Sequence, residues 1–295
     1  MRGITVFALA AAAACASAPV RADVAVGDAE AEVVAAEHAF AAAAARDGVR
    51  DAFLAFADDS ALAFAPELAN AKEVWRARRP TSGRLAWYPA FARASRSGDL
   101  GFTTGPYQSA DSAGNVVGYG QYVTVWRNTP AGWRFLADLG TTNPRPSAAE
   151  AEWRPLARRS ASPSAVNPDA AGSLLAADSL FAAHAGVHGL AAAVRAFGHA
   201  EMRLLRPRTP PRVALGPALE AAVADSARRY SARPLRAMAS AAGDLGWAWG
   251  EYRYENPGAG RRETGHYLRL WSRDPGGPWR VLLDVVAPRP AERDE

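Results

Sequence analysis

The chain has 295 residues, 49% hydrophobic and 22% charged, with 34 basic against 30 acidic side chains and a single cysteine. A net charge of +4 is too small to specify nucleic acid or an anionic membrane as a partner, and one cysteine excludes a disulfide framework or paired-cysteine metal site. Arginine and alanine dominate and Lys72 is the only lysine, so alanine-rich stretches count for little as helix evidence.

Residues 1–22 read as a secretory leader. Arg2 precedes an apolar run over 4–14, and Val20-Arg21-Ala22 offers a cleavage point before Asp23. This predicts a periplasmic or secreted bacterial protein. A lipobox would carry leucine three positions before Cys15, where Ala12 stands, so a lipoprotein is disfavoured. The run is shorter than the roughly 20 residues that span a bilayer, and no later segment reads as long and apolar enough to do so. Without the leader no cysteine remains. Losing Arg2 and Arg21 leaves 32 basic residues against 30 acidic ones, a net +2.

Residues 28–142 read as one domain. Val33, Val34, Phe40 and Ala44 recur at helical spacing and Gly48 ends the helix; a second short helix fits 49–57. A strand over 61–65 stops at Pro66. After a variable middle with another helix come three strands rich in Tyr, Trp, Val and Leu. Residues 143–170, with Pro144, Pro146, Pro155, Pro163 and Pro168 among Ser, Arg and Ala, form a linker. Residues 171–288 then run through the same order: Leu174, Leu175, Phe181 and Ala185 before Gly189, a helix over 190–197, a strand over 201–205 and three more strands.

The two domains share residues as well as order. GDLGFTTGPY begins at Gly98 and GDLGWAWGEY at Gly243, 145 positions later. At the same offset Tyr122 and Trp126 match Tyr267 and Trp271; after one insertion Trp133-Arg and Asp138 match Trp279-Arg and Asp284. Upstream the offset is 141, where Glu37 and Phe40 match Asp178 and Phe181. Offsets that change only between elements mark a duplicated unit, because loops accept insertions and packed elements do not.

Glu/Asp-x-x-Phe, GDLG-x-x-x-G-x-Tyr, Tyr-x-x-x-Trp and Trp-Arg-x-x-x-Asp together resemble the nuclear transport factor 2-like superfamily, in its SnoaL-like, ketosteroid-isomerase-like branch. The resemblance implies an α+β fold of two tandem cone-shaped domains, each a curved antiparallel sheet packed on N-terminal helices around an interior pocket. It also implies that two such domains pair, here within one chain. It is nearly silent on function, and the acids and tyrosine of the ketosteroid isomerases have no residue-by-residue match.

Side chains alternate along a strand, so Trp247, Trp249 and Glu251 share a face; a hairpin pairing Glu251 with His266 adds Leu268 and Leu270. An acid beside an imidazole in a Trp and Leu wall is a candidate acid–base pair or ligand contact. The other half has Pro106 and Gln121 there, so the repeat does not require the pair. Glu37 and Asp178 sit on the apolar stripe of their helices and need partners, from a ligand or from an arginine, tyrosine or strand end. Asp138 and Asp284 read as strand-end residues bonded to backbone, and Trp126, Trp271, Trp133 and Trp279 as packing. His184 and His188 stand four apart, but the intervening Gly186 and absence of a matching pair weaken a metal site. No phosphate loop, dinucleotide fingerprint or nucleophile elbow is present, so no cofactor is expected.

These readings favour non-catalytic binding of a small, partly apolar ligand through Trp247, Trp249, Glu251, His266, Asp178 and Glu37. An acid–base enzyme using Glu251 and His266 is the first alternative and a protein-interaction module the second.

Overall fold

The computed structural model describes residues 26–64, 67–146, 167–223, 229–259 and 261–290. The leader over 1–22 and most of the linker over 143–170 lie outside them. The N-terminal half runs α1 (Val26–Asp47), α2 (Val49–Phe56), β1 (Ala57–Ala63), β2 (Ala69–Asn70), α3 (Ala71–Ala77), β3 (Arg84–Trp87), β4 (Phe91–Ala94), β5 (Leu100–Ala110), β6 (Val116–Thr129) and β7 (Gly132–Asn143). The C-terminal half runs α4 (Ala170–His188), α5 (Leu190–Phe197), β8 (Gly198–Leu205), β9 (Arg212–Val213), α6 (Pro217–Val223), β10 (Arg229–Ala239), β11 (Leu245–Asn256), β12 (Arg261–Ser272) and β13 (Arg280–Pro288). The fold is α+β, with two sheets each packed against helices.

Both sheets are mixed, which corrects the expectation of purely antiparallel ones. Strand β1 lies parallel to β7, and β8 parallel to β13. The long excursion between the members of each pair removes the hairpin constraint that forces antiparallel neighbours. The sequence reading also missed β3, β4 and β10, which occupy the variable middle beside β5 and β11. A bulge falls at matching places, between Val125 and Trp126 and between Leu270 and Trp271, and such bulges bend a strand.

Each sheet is covered on both faces. Beneath the helices, Phe40, Trp126 and Phe135 belong to the first core and Phe181, Trp271 and Val281 to the second. The opposite faces form a third core together: Phe102, Val123, Val125 and Leu139 from the first sheet meet Trp247, Trp249, Leu268 and Leu270 from the second. Helix α4 has a mean hydropathy of 1.2 and is long and apolar enough to cross a membrane, contrary to the sequence reading, which discounted alanine. Its inward stripe, Leu174, Asp178, Phe181 and Ala185, is buried on the second sheet, while Leu180 and Val187 are exposed.

The duplicated GDLG motifs lie where the halves touch. Gly98 and Gly243 adopt φ of 65° and 64°, the left-handed region that glycine enters without steric cost. Each closes a turn in which its N–H donates to the carbonyl of Ser95 or Ser240. The following aspartate accepts from that serine hydroxyl and then reaches across: Asp99 Oδ2 accepts from Ala241 N at 2.9 Å, and Asp244 Oδ2 from Arg96 N at 3.2 Å. At the far end Asn143 Nδ2 donates to the Arg206 and Thr209 carbonyls at 2.7 and 2.5 Å, and Arg289 pairs with Glu67 at 2.8 Å.

The later glycine of each motif permits a close strand crossing. A Cβ on Gly105 would stand 2.1 Å from Tyr88 O, and one on Gly250 would stand 2.2 Å from Arg233 O. Gly105→Ala is expected to lower stability by about 2–3 kcal/mol, as overpacking does; urea unfolding checks this, and an unchanged midpoint refutes it.

Candidate functional site

The residues under the helices differ in charge between the two halves. In the C-terminal half α4 supplies Asp178, β12 supplies Tyr267 and Arg269, and β13 supplies Asp284, all projecting beneath the helix because Tyr267 and Arg269 are two apart on one strand. Arg269 Nη1 donates to Asp178 Oδ1 at 2.9 Å and Nε to Asp284 Oδ2 at 3.2 Å; Nη2 donates to Tyr230 Oη. Tyr267 Oη donates to Asp178 Oδ2 at 2.5 Å. The guanidinium lies 4.2 Å from the Phe181 ring centre and 3.9 Å from that of Tyr267. Arg206, just past β8, brings Nη2 to 3.3 Å from Asp284 Oδ1. Burial raises the Asp284 carboxyl, but Arg206 and Arg269 outweigh it and hold the group below the usual range. Two acids face two arginines, so this set is balanced in charge without a ligand.

In the N-terminal half the same positions hold Glu37, Tyr122, Thr124 and Asp138. Threonine stands in place of Arg269, and Trp87 and Thr103 replace Ala232 and Ala248. Glu37 accepts from Trp87 Nε1 at 2.5 Å, from Trp126 Nε1 at 3.0 Å and from Thr103 Oγ1. Burial nonetheless raises its carboxyl pKa, against those hydrogen bonds. Asp138 is half-buried and accepts from Thr124 Oγ1 at 3.0 Å. Desolvation, then the Glu37 carboxylate, pushes it up to about 7. Tyr122 is 5% exposed, and its hydroxyl, beside Thr103, makes no hydrogen bond of ordinary geometry. Around these groups stand aromatic rings: Phe53 stacks on Trp75 at 4.1 Å, and Phe40 meets Trp87 edge-on at 5.0 Å.

The Asp138 shift has a definite sign. Its folded pKa lies above the unfolded value of about 3.9, so between pH 4 and 7 the folded state holds a proton that the unfolded state has released. Stability through this group is therefore expected to fall as pH rises across that window and to level off above it. The thermal midpoint of Asp138→Asn minus that of the parent should grow from pH 4.5 to 7.5; a constant difference refutes the assignment.

Glu251 and His266 are paired in register as the strand alternation predicts, and so are Trp249 with Leu268 and Trp247 with Leu270. Their shared face is not the one beneath the helices. Trp247 and Trp249, stacked at 4.3 Å, lie between the two sheets. Glu251 sits at the rim, 2.6 Å from Arg233 Nη2 and 3.5 Å from Arg289 Nη2; its hydrogen bond to Arg233 lowers its carboxyl pKa. His266 is buried, with Nε2 3.3 Å from Arg289 Nη2, and burial followed by that cation lowers its pKa. Asp178 and Glu37 do lie beneath the helices, each bonded to protein side chains. The reading of Asp138 and Asp284 as backbone-bonded strand ends is corrected: their carboxylates point inward to Thr124 and to the two arginines. Arg206, Tyr230 and Trp87 come from the variable middle, where no matching motif marked them. His184 and His188 line an open groove of about 370 Å³ with Ala192, Arg195 and Ala196; among the described residues no group of three or more His, Cys, Asp or Glu is placed to hold a metal.

No family model and no curated protein matches the chain. Among solved structures it is similar to a nuclear transport factor 2-like protein of unknown function from Pseudomonas putida, at 14% identity and TM-score 0.32, over 45% of this chain and 99% of that one. A protein of unknown function with a cystatin-like fold from Nostoc punctiforme gives 14% identity and TM-score 0.32 over 40% and 91%. An LEH-like epoxide hydrolase from M. tuberculosis gives 12% and 0.31 over 40% and 80%. Likeness at this level concerns fold and assigns no activity.

Proposed function

We propose that the N-terminal half binds a small, partly apolar ligand between its helices and the inner face of the first sheet, without transforming it. The protein is exported, and its halves act as one paired unit. The observation that carries this reading is Asp138: a desolvated carboxyl beneath the helices, on a residue that is not fully buried, with Thr124 as its hydrogen-bond partner and no arginine beside it. A half-buried acid in such a setting is a common anchor for a ligand's polar end. The C-terminal inner face lacks an equivalent, because Arg269 and Arg206 already occupy its acids. The Glu251 and His266 alternative receives less support, since Glu251 is ion-paired and the tryptophans beside it are covered by the other sheet.

The test uses the neutral apolar fluorophore N-phenyl-1-naphthylamine and the indole N–H signals of the full chain in NMR. One saturable site is expected, with the largest shifts at Trp87 and Trp126 and little change at Trp271 and Trp279. Absence of saturable binding, or shifts confined to Trp247 and Trp249, overturns the proposal.

A further inference from the structure

The C-terminal half displays, in its own side chain, a cation seated between two acids, and the N-terminal half keeps the seat while changing the occupant. Most groups around the Arg269 guanidinium have a counterpart at the matching position, although Leu85 stands where Tyr230 accepts from it. Asp178 corresponds to Glu37, Asp284 to Asp138, and the rings of Phe181 and Tyr267 to those of Phe40 and Tyr122. The arginine itself changes to Thr124, whose hydroxyl donates to Asp138. A threonine brings no positive charge, so two carboxyls share one interior without a cation. Trp87, in place of Ala232, donates to one oxygen of Glu37. Asp138 and the unpartnered Tyr122 hydroxyl keep their capacity.

From this correspondence we infer that the N-terminal site selects a ligand whose polar end is an organic cation, an ammonium, amidinium or guanidinium, held by Asp138 and set against the Tyr122 ring. The inference rests on the ligand-binding reading above and narrows its chemistry. Opposite charge in a partly desolvated site and a cation over an aromatic face both favour such a group over a neutral isostere. The apolar body of the ligand meets the Phe53 and Trp75 rings. The titrating neighbours of Asp138 are Glu37 from α1 and Tyr122 from β6; both are neutral or negative, so neither competes as a cation.

Benzamidine and benzamide have the same shape and differ in charge. In displacement of N-phenyl-1-naphthylamine from the full chain at pH 8, benzamidine is expected to bind at least about ten-fold more tightly, the scale of one charged hydrogen bond. The ratio should collapse towards one in Asp138→Asn, and should shrink as pH falls towards 5.5 while benzamidine stays cationic. The double variant Thr124→Arg with Trp87→Ala restores the other half's residues, and with its own guanidinium in place it should lose benzamidine. Equal affinity of amidine and amide, or retention of the ratio in Asp138→Asn, overturns the cation inference while leaving a ligand site standing. Failure of the fluorophore itself to bind removes the ligand-binding reading instead.

Discussion

Arg269→Met is expected to destabilise the protein by about 3–5 kcal/mol, the cost of leaving buried charges without a partner. Arg269 is fully buried and bridges Asp178 and Asp284. Its loss strands Asp178 among apolar side chains with only the Tyr267 hydroxyl donating to it, while Asp284 keeps Arg206. Adding Asp178→Leu removes the stranded charge and should recover at least half of the loss, because replacing a buried ion pair by apolar groups is often neutral. Urea unfolding of the parent, the single variant and the double variant measures both quantities. A single variant within 1 kcal/mol of the parent, or a double variant no better than the single, would show that the network is not what holds α4 on its sheet.

The second large effect concerns the clasp between the halves. Removing both acids, Asp99→Ala with Asp244→Ala, is expected to cost about 3–5 kcal/mol, since each carboxylate accepts an N–H from the other half and hydrogen bonds to charged groups contribute about 1.5–3 kcal/mol each. Hydrogen exchange gives a sharper readout because the exchange is reciprocal. Asp244→Ala alone should release the Arg96 amide and leave that of Ala241 protected; Asp99→Ala should do the reverse. If either variant released both amides together, the turns would open as a unit and the two contacts would not be separable.

The helices, the order of elements and the pairing of Glu251 with His266 were legible because each rests on local spacing. What alternation could not decide was which face of β11 and β12 looks towards the helices. Trp247, Trp249, Leu268 and Leu270 form as apolar a row as any core, and in a sheet covered on both sides the row opposite is buried too. Ala248, Tyr267 and Trp271 carry no mark that sets them beneath a helix. The inner acids were legible only as far as their need for partners: Asp178 did find an arginine and a tyrosine, while Arg206 and Tyr230 arrive from segments that no shared sequence motif marks. Strands β1 and β8 were read as strands, but nothing local dictates a parallel neighbour from the far end of the domain.

The face shared by the two sheets has a consequence for divergence. Were two identical copies to meet through it, any substitution would appear on both sides at once, and an interior stripped of its arginine would be stripped twice. Joined in one polypeptide, each partner is present at a local concentration set by the tether and independent of dilution. One side is then free to keep a self-neutralised interior while the other holds Glu37 and Asp138 with a threonine where the arginine stood.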